Sequence, residues 1–343
     1  MKLSELYDRV TAASARGDAD AAQKAFMAAV GLEVRRPATE VPTRLPPRTA
    51  PMLRYLEPRA VDRYALLFGA RNVAKFEDLT ESKARELEAD FRSRGLRTVR
   101  TGPYRKRFDV AISSDDAGEL YNVIASRGTQ AEKVAEAEQD RTPSGTRAAG
   151  LALGYPPCCV EHFVAIERSP LAEREGINET AIRSPQGQGG DAPWEMNLLS
   201  TMSPVGFVPC AMTCPRALAF ARAVLDAVER ANPKDYATLR TVLSRPILFF
   251  RYSTFFVLDG VATTRGDVRS VRYAAAIAND DGTGRPDTLS AWQYAELGSI
   301  LDAGNEVTLG DGALTIRRDD SVLASFRVAD ARVPMLLRFT SRT

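Results

Sequence analysis

The residues that could bind a metal through sulfur or imidazole nitrogen all lie between positions 158 and 214. The 343-residue sequence contains four cysteines and one histidine, and these are Cys158, Cys159, His162, Cys210 and Cys214. A random distribution would rarely place all five in so short a segment. The clustering therefore predicts one shared site, and we interpret the rest of the chain as the scaffold that positions it.

The first cysteine pair is predicted to open a helix. Pro156-Pro157 stands immediately before it, and proline is tolerated in the first turn of a helix because the N–H that it lacks has no partner there. Side chains three and four residues apart share one helix face. Cys158, Cys159 and His162 would therefore point toward one centre.

The second pair is predicted to lie at the start of a longer helix. Cys214 directly precedes Pro215, and Cys210 falls in the loop that leads to this helix. A helix N-terminus lowers the pKa of a thiol and favours the thiolate, which is the form that binds metals.

The kind of metal is less well defined by the pattern. Four thiolates from two helix starts could hold an iron–sulfur cluster, or they could supply Cys₄ or, with His162, Cys₃His ligands to zinc. The spacing matches neither a pair of Cys-x-x-Cys motifs nor a ferredoxin run. An adjacent Cys-Cys pair fits poorly into a tight zinc knuckle, whereas a cluster offers irons at separate corners. We therefore favour an iron–sulfur cluster of the 4Fe–4S type, with zinc as the alternative.

Two interpretations without a metal stay open. Cys210 and Cys214 could form a disulfide, with Cys158 or Cys159 as the resolving thiol. Free cysteine is also often buried as a small hydrophobic residue. The chain lacks a secretory signal, so a cytoplasmic location is expected, and there the reduced thiols favour metal binding or catalysis.

Three polar residues near the cysteines are candidates for a catalytic role. His162 could be a metal ligand, a hydrogen-bond donor to a ligand or a proton source, although a hydrogen bond that fixes its helix is the plainer role. Glu195 and Asn197 lie beside Trp194 in an otherwise apolar piece between the two cysteine pairs. A capping role is the alternative for these two residues.

The motif around the cysteines resembles that of a known family. The residues that carry the resemblance are Leu153-Gly154-Tyr155-Pro156-Pro157-Cys158-Cys159, the following Phe163, and the later Pro209-Cys210 and Cys214. They are similar to an uncharacterised family of mainly archaeal and bacterial proteins, a domain of unknown function with a Gly-Tyr-Pro-x-Cys-Cys hallmark. The resemblance covers about residues 148–230. It implies that the four cysteines belong together, and it implies no particular reaction.

Composition and motifs exclude several functional classes. The net charge of +2 argues against a nucleic-acid partner, and no apolar run is long enough to cross a membrane. Neither a dinucleotide fingerprint nor a Walker loop is present. The most basic segment, Arg97 to Arg107, is interpreted as a solvated strand edge, with phosphate or RNA contact as the alternative.

The predicted fold is a multidomain α+β protein. It has a helical cysteine-rich centre, a small α/β module before it and an antiparallel β-rich C-terminal part. The predicted division is a helical arm and Pro-rich connector over 1–58, the α/β module over 59–140, the cysteine-rich metal-binding domain over 141–244, and the β-rich domain over 245–343.

Several individual elements are predicted as well. Residues 3–30 are expected to form a helical pair, residues 108–112 a strand, and residues 288–301 a helix. The caps at Ser113 to Asp116 predict a helix through about Ala125. The last four strands are expected to form an antiparallel meander.

These features together predict an iron–sulfur protein. We favour an enzyme that performs redox, sulfur-transfer or Lewis-acid chemistry on a substrate held beside the cluster, with an unknown substrate or redox partner. The alternatives are a zinc-stabilised binding module without catalysis and a metal-free thiol-redox protein. A closed Cys₄ site would argue for a structural role, and an open coordination position would argue for catalysis.

Overall fold

The fold consists of two compact units. A computed structural model describes residues 32–36, 60–104, 119–167, 182, 191–198, 202–249, 255–265, 268–278, 297–328 and 334–340. Unit 1 takes in residues 1–54, 169–192 and 244–343, and unit 2 takes in residues 55–168 and 193–243. Both units contain antiparallel strands and helices, so the predicted α+β class is confirmed.

Runs of helices and runs of strands follow one another along the described chain. The helices are α1 (Ala60–Leu67), α2 (Glu81–Ser93), α3 (Gln130–Gln139), α4 (Pro143–Ala152), α5 (Pro157–Ile166), α6 (Pro215–Ala231), α7 (Pro233–Leu243) and α8 (Ser299–Ala303). The strands are β1 (Leu32–Arg36), β2 (Val73–Leu79), β3 (Arg97–Tyr104), β4 (Leu120–Ser126), β5 (Asp191–Pro193), β6 (Ile247–Phe249), β7 (Phe255–Arg265), β8 (Val268–Ala278), β9 (Glu306–Gly310), β10 (Ala313–Arg318), β11 (Ser321–Val328) and β12 (Met335–Thr340). Within these ranges no helix combines the length and apolar character needed to cross a bilayer.

Unit 2 is built on an antiparallel sheet in the order β2-β4-β3. Alternate side chains of a strand face opposite sides, so this sheet buries apolar residues on both faces. One face packs on α1 and α2 through Leu66, Ala74, Phe76, Phe91, Leu96 and Ala125. The other face packs on α3 and the end of α4 through Val73, Ile124, Ala131, Val134, Ala135 and Leu153. The end of α4 leads directly into the cysteine-bearing segment.

Helix α2 begins directly after Thr80, and its start offers a test. The extended Thr80 accepts the N–H of Lys83 on its Oγ1 atom at 3.4 Å. Thr80→Ala should therefore lower the free energy of unfolding by about 1 kcal/mol, because one N–H loses its acceptor. Thr80→Ser keeps a hydroxyl and should lose much less. Urea denaturation of the two variants checks this, and equal losses would contradict the capping role.

Unit 1 contains a large sheet in the order β1-β11-β10-β9-β8-β7-β6-β12-β5. Its β9–β10 turn falls at Asp311-Gly312, where both residues have positive φ. The predicted β-rich C-terminal part is confirmed. The meander prediction is right for β9, β10 and β11 but wrong for β12, which pairs with β6 instead of β11.

The predicted helix through Ala125 is also wrong, because residues 120–126 form β4. Val123 and Ile124 are fully buried on opposite faces of the central strand of the unit 2 sheet. Pairing with β2 and β3 on both sides overrides the local capping signal. The predicted helical pair over 3–30, the strand over 108–112 and most of the helix over 288–301 lie outside the described residues.

Candidate metal centre

The first turn of α5 carries the first cysteine pair, as predicted. Pro156 caps this helix with φ −58° and ψ 128°, and Pro157 is its first residue. The carbonyl of Pro156 accepts the N–H of Cys159 at 2.8 Å. Cys159 is buried with 1% of its surface exposed, while Cys158 is half-buried.

The second pair lies at the start of α6. Cys214 is the N-cap residue and Pro215 follows it as the first helical residue, which confirms the predicted helix start. The carbonyl of Cys214 accepts the N–H of Leu218 at 2.9 Å. Cys210 is half-buried in the preceding loop, and Cys214 is buried.

The four thiols converge on one point in unit 2. The Sγ atom of Cys158 lies 4.0 Å from that of Cys159 and 3.8 Å from that of Cys214. The Sγ atoms of Cys159 and Cys214 are 3.9 Å apart. Together with Cys210, all four sulfurs lie within 4.8 Å of one another. This four-cysteine cluster could bind a metal ion.

The electrostatic surroundings of the thiols differ. Burial raises the pKa of Cys159, and it raises the pKa of Cys210 to about 11. Burial also acts to raise the pKa of Cys214, but the backbone N–H groups of Ala217 and Arg216, together with the neighbouring thiols, outweigh it and lower that pKa. The start of α6 thus favours a thiolate at Cys214, as the helix-dipole argument predicts.

His162 lies on α5, one turn after Cys158. Its imidazole does not belong to the group of four ligand atoms. The Nε2 atom is buried without a hydrogen-bond partner, and burial lowers the pKa of the side chain, so the neutral form is favoured. Its role as a ligand or a proton source stays a prediction.

Glu195 and Asn197 are both buried in or beside the 3₁₀ turn Trp194–Met196. Glu195 accepts the Nε–H of Arg222 on α6 at 3.1 Å, and its second carboxylate oxygen is buried without a partner. The side-chain amide of Asn197 donates to the carbonyl of Leu243, the last residue of α7, at 3.0 Å. These contacts match the capping alternative for Asn197, and a catalytic role for either residue stays a prediction.

A buried arginine that no sequence motif identifies lies near the aromatic residues of this region. Arg71 has only 6% of its surface exposed and forms an ion pair with Asp62. Its guanidinium carbon lies 5.5 Å from the ring centroid of Tyr155 and 5.5 Å from that of Phe220. Phe207 packs on both rings, at 4.8 Å and 5.2 Å between centroids. We call Tyr155, Phe207 and Phe220 the aromatic cluster.

The aromatic cluster connects the two helix starts. Tyr155 precedes the first cysteine pair by three residues, Phe207 belongs to the loop that carries Cys210, and Phe220 lies on α6 after Cys214. Its contacts are therefore placed to fix the relative position of α5 and α6. A single buried arginine has no periodic or spacing signal, and for that reason sequence reasoning did not find it.

Comparison with known proteins finds one family model that matches part of the chain. Residues 119–244 match the model of the family described as "Protein of unknown function (DUF483)". The predicted resemblance to a family of unknown function is confirmed, over a longer stretch than predicted, while the hallmark motif itself stays a prediction. The comparisons with curated proteins and with solved structures give no match.

Proposed function

We propose that the four cysteines hold one zinc ion in a structural tetrathiolate site and that the chain is a zinc-stabilised binding module. The sulfur separations carry this proposal. A tetrahedral ion with zinc–sulfur bonds of about 2.3 Å holds its sulfurs about 3.8 Å apart. The measured separations among Cys158, Cys159 and Cys214 are 3.8 to 4.0 Å.

The same distances speak against the 4Fe–4S cluster that the sequence favours. Each thiolate of such a cluster binds its own iron at a separate corner, which puts the sulfurs about 6 Å apart. The four sulfurs here lie within 4.8 Å of one another. The iron–sulfur enzyme stays the second candidate because Cys158 and Cys210 are only half-buried, which leaves one side of the site less covered.

The number of protein ligands supports a structural role. Four thiolates complete the tetrahedral coordination of zinc, so no position is left for water or a substrate. The ion would join the start of α5 to the start of α6, which come from distant parts of the sequence. Binding of a partner would then be the task of the surrounding surface.

The charges on β3 support a partner other than nucleic acid. Within the described residues, Arg97 forms an ion pair with Glu132 at 3.1 Å, and Arg100 forms one with Glu88 at 3.6 Å. Arg100 also stacks on the ring of Tyr121. Arg97 and Arg100 are thereby less available for phosphates, so a protein or small-molecule partner is favoured. The other basic residues of this segment, 105–107, lie outside the described residues.

Metal analysis of the full chain, purified without oxygen, tests the proposal. We expect a colourless protein with about one zinc per chain and no acid-labile sulfide. Replacement of zinc by cobalt should give the intense visible bands of a tetrahedral thiolate site. A brown protein with iron, labile sulfide and broad absorption near about 400 nm would establish the cluster instead. A protein without metal would refute both proposals and leave the thiol-redox interpretation.

A further inference from the structure

We infer that Arg71 forms a binding site for a small oxyanion, a carboxylate or a phosphate group, in unit 2. This inference is independent of the ion that the cysteines bind. It rests on a buried guanidinium that has one edge paired and another edge without any partner.

The unpaired edge of Arg71 has the geometry that binds two oxygens. Its Nη1 atom pairs with Asp62, whereas the Nε and Nη2 atoms are buried and have no hydrogen-bond partner. Nε–H and Nη2–H point the same way from the planar guanidinium and form a fork that matches a carboxylate or phosphate. The fork is therefore a preformed pair of donors without an acceptor.

Two other arginines of this chain use the same edge for a carboxylate. The Nε and Nη2 atoms of Arg147 donate to the two oxygens of Glu161 at 2.7 and 2.9 Å. The Nε and Nη2 atoms of Arg338 likewise donate to the two oxygens of Asp191. Both of these arginines are more exposed than Arg71, with 41% and 38% of their side-chain surface accessible. Of these three arginines, the buried one is thus the one whose Nε–Nη2 edge has no internal oxyanion.

The surroundings make the missing acceptor costly. The rings of Tyr155 and Phe220 lie near the guanidinium, and the side chain has only 3% of its surface exposed. A buried donor without a partner destabilises the folded state, so an acceptor at the fork would recover that free energy. Asp62 opposes a second anion, but its side chain is 22% exposed, so solvent weakens the repulsion.

The polar groups around Arg71 approach the surface at one point. A Cβ atom added at the exposed Gly206 would lie 3.7 Å from Nη1 of Arg71 and 3.8 Å from the hydroxyl of Tyr155. Burial raises the pKa of Tyr155, so this hydroxyl stays protonated. Gly206 has no side chain, so the guanidinium comes nearest to the surface here, at the Nη1 atom that pairs with Asp62 and not at the fork. Gly206 also precedes Cys210 on the same loop.

Calorimetric titration of the full chain with inorganic phosphate and with acetate tests the inference, against chloride at equal ionic strength. Saturable binding of either probe is expected. Arg71→Lys keeps the charge beside Asp62 but removes the fork, so it should weaken that binding at least about tenfold. Arg147→Lys is the matched control, because its fork is already occupied by Glu161, and it should bind like the unchanged protein.

Each outcome of the titration either supports or overturns an oxyanion site at Arg71. Binding of acetate alone identifies a carboxylate site, binding of phosphate alone identifies a phosphate site, and loss in Arg71→Lys supports either. No binding beyond chloride, or equal binding by both variants, overturns the inference. If Arg71→Lys does not fold, a crystal structure of the unchanged protein with the bound probe decides: an oxyanion on Nε and Nη2 supports the site, and one elsewhere refutes it. Zinc analysis of the same samples reports on the cysteine site separately.

Discussion

If the four cysteines hold zinc as proposed, replacing Cys214 by alanine should weaken that binding at least about 100-fold and lower the melting temperature of the protein sharply. Structural zinc sites bind with about 10–16 kcal/mol, so loss of one of four thiolates removes roughly 3 kcal/mol or more. Cys214 is also the N-cap of α6, and its Sγ atom lies 3.8 Å and 3.9 Å from those of Cys158 and Cys159. Zinc retained after dialysis against a chelator, and thermal unfolding before and after dialysis, measure the two effects.

A neighbouring substitution separates metal loss from local damage. Thr213→Ala changes a half-buried residue next to Cys214 and leaves all four thiols in place. It should keep its zinc and unfold near the temperature of the unchanged protein. If Cys214→Ala retained zinc as well as Thr213→Ala does, Cys214 would have to be removed from the ligand set.

Gly145→Ala should destabilise the protein by at least about 3 kcal/mol, because no space exists for a side chain there. A Cβ atom at Gly145 would lie 1.8 Å from the carbonyl oxygen of Asp140 and 2.7 Å from that of Ala137. Both atoms are backbone, so the junction of α3 and α4 would have to open. Urea denaturation, with the slope compared between variants, measures the loss.

Gly206→Ala provides the matched control for Gly145→Ala. The nearest atom to a Cβ at position 206 is 3.7 Å away, which is an ordinary van der Waals contact. We therefore expect a change of no more than about 0.5 kcal/mol. Equal destabilisation of the two variants would show that the close approach at Gly145 is not what stabilises the α3–α4 junction.

Local rules were enough to predict the parts of the fold that local chemistry determines. The prolines at positions 157 and 215 mark the starts of α5 and α6, and Gly95 follows the end of α2 with φ +75°. The shared site was predicted from the clustering of the cysteines, because a random distribution would rarely place all four thiols of the chain in so short a segment. The proline and glycine signals act within a turn or two of the residue that carries them.

Other features depend on contacts that no local pattern contains. The capping residues before β4 suggested a helix, yet the strand forms because it pairs with neighbours on both sides. The separations between sulfurs more than fifty residues apart, which favour one ion over a cluster, are likewise set by how α5 and α6 pack. Arg71 is a candidate for anion binding only because the fold places it near two aromatic rings and leaves its fork without an acceptor.

The long interval between the two cysteine pairs has a consequence for how the protein is made. Cys158 and Cys214 are 56 residues apart, and the residues between them include a segment that belongs to unit 1. During synthesis the first pair leaves the ribosome well before Cys210 and Cys214 exist, so it cannot yet be closed around an ion. Bringing the pairs together costs about 4 kcal/mol of chain entropy. The bound ion would then hold the two cysteine pairs in place. Metal binding would thus be a late step. It would join residues 55–168 of unit 2 to residues 193–243, which are synthesised later.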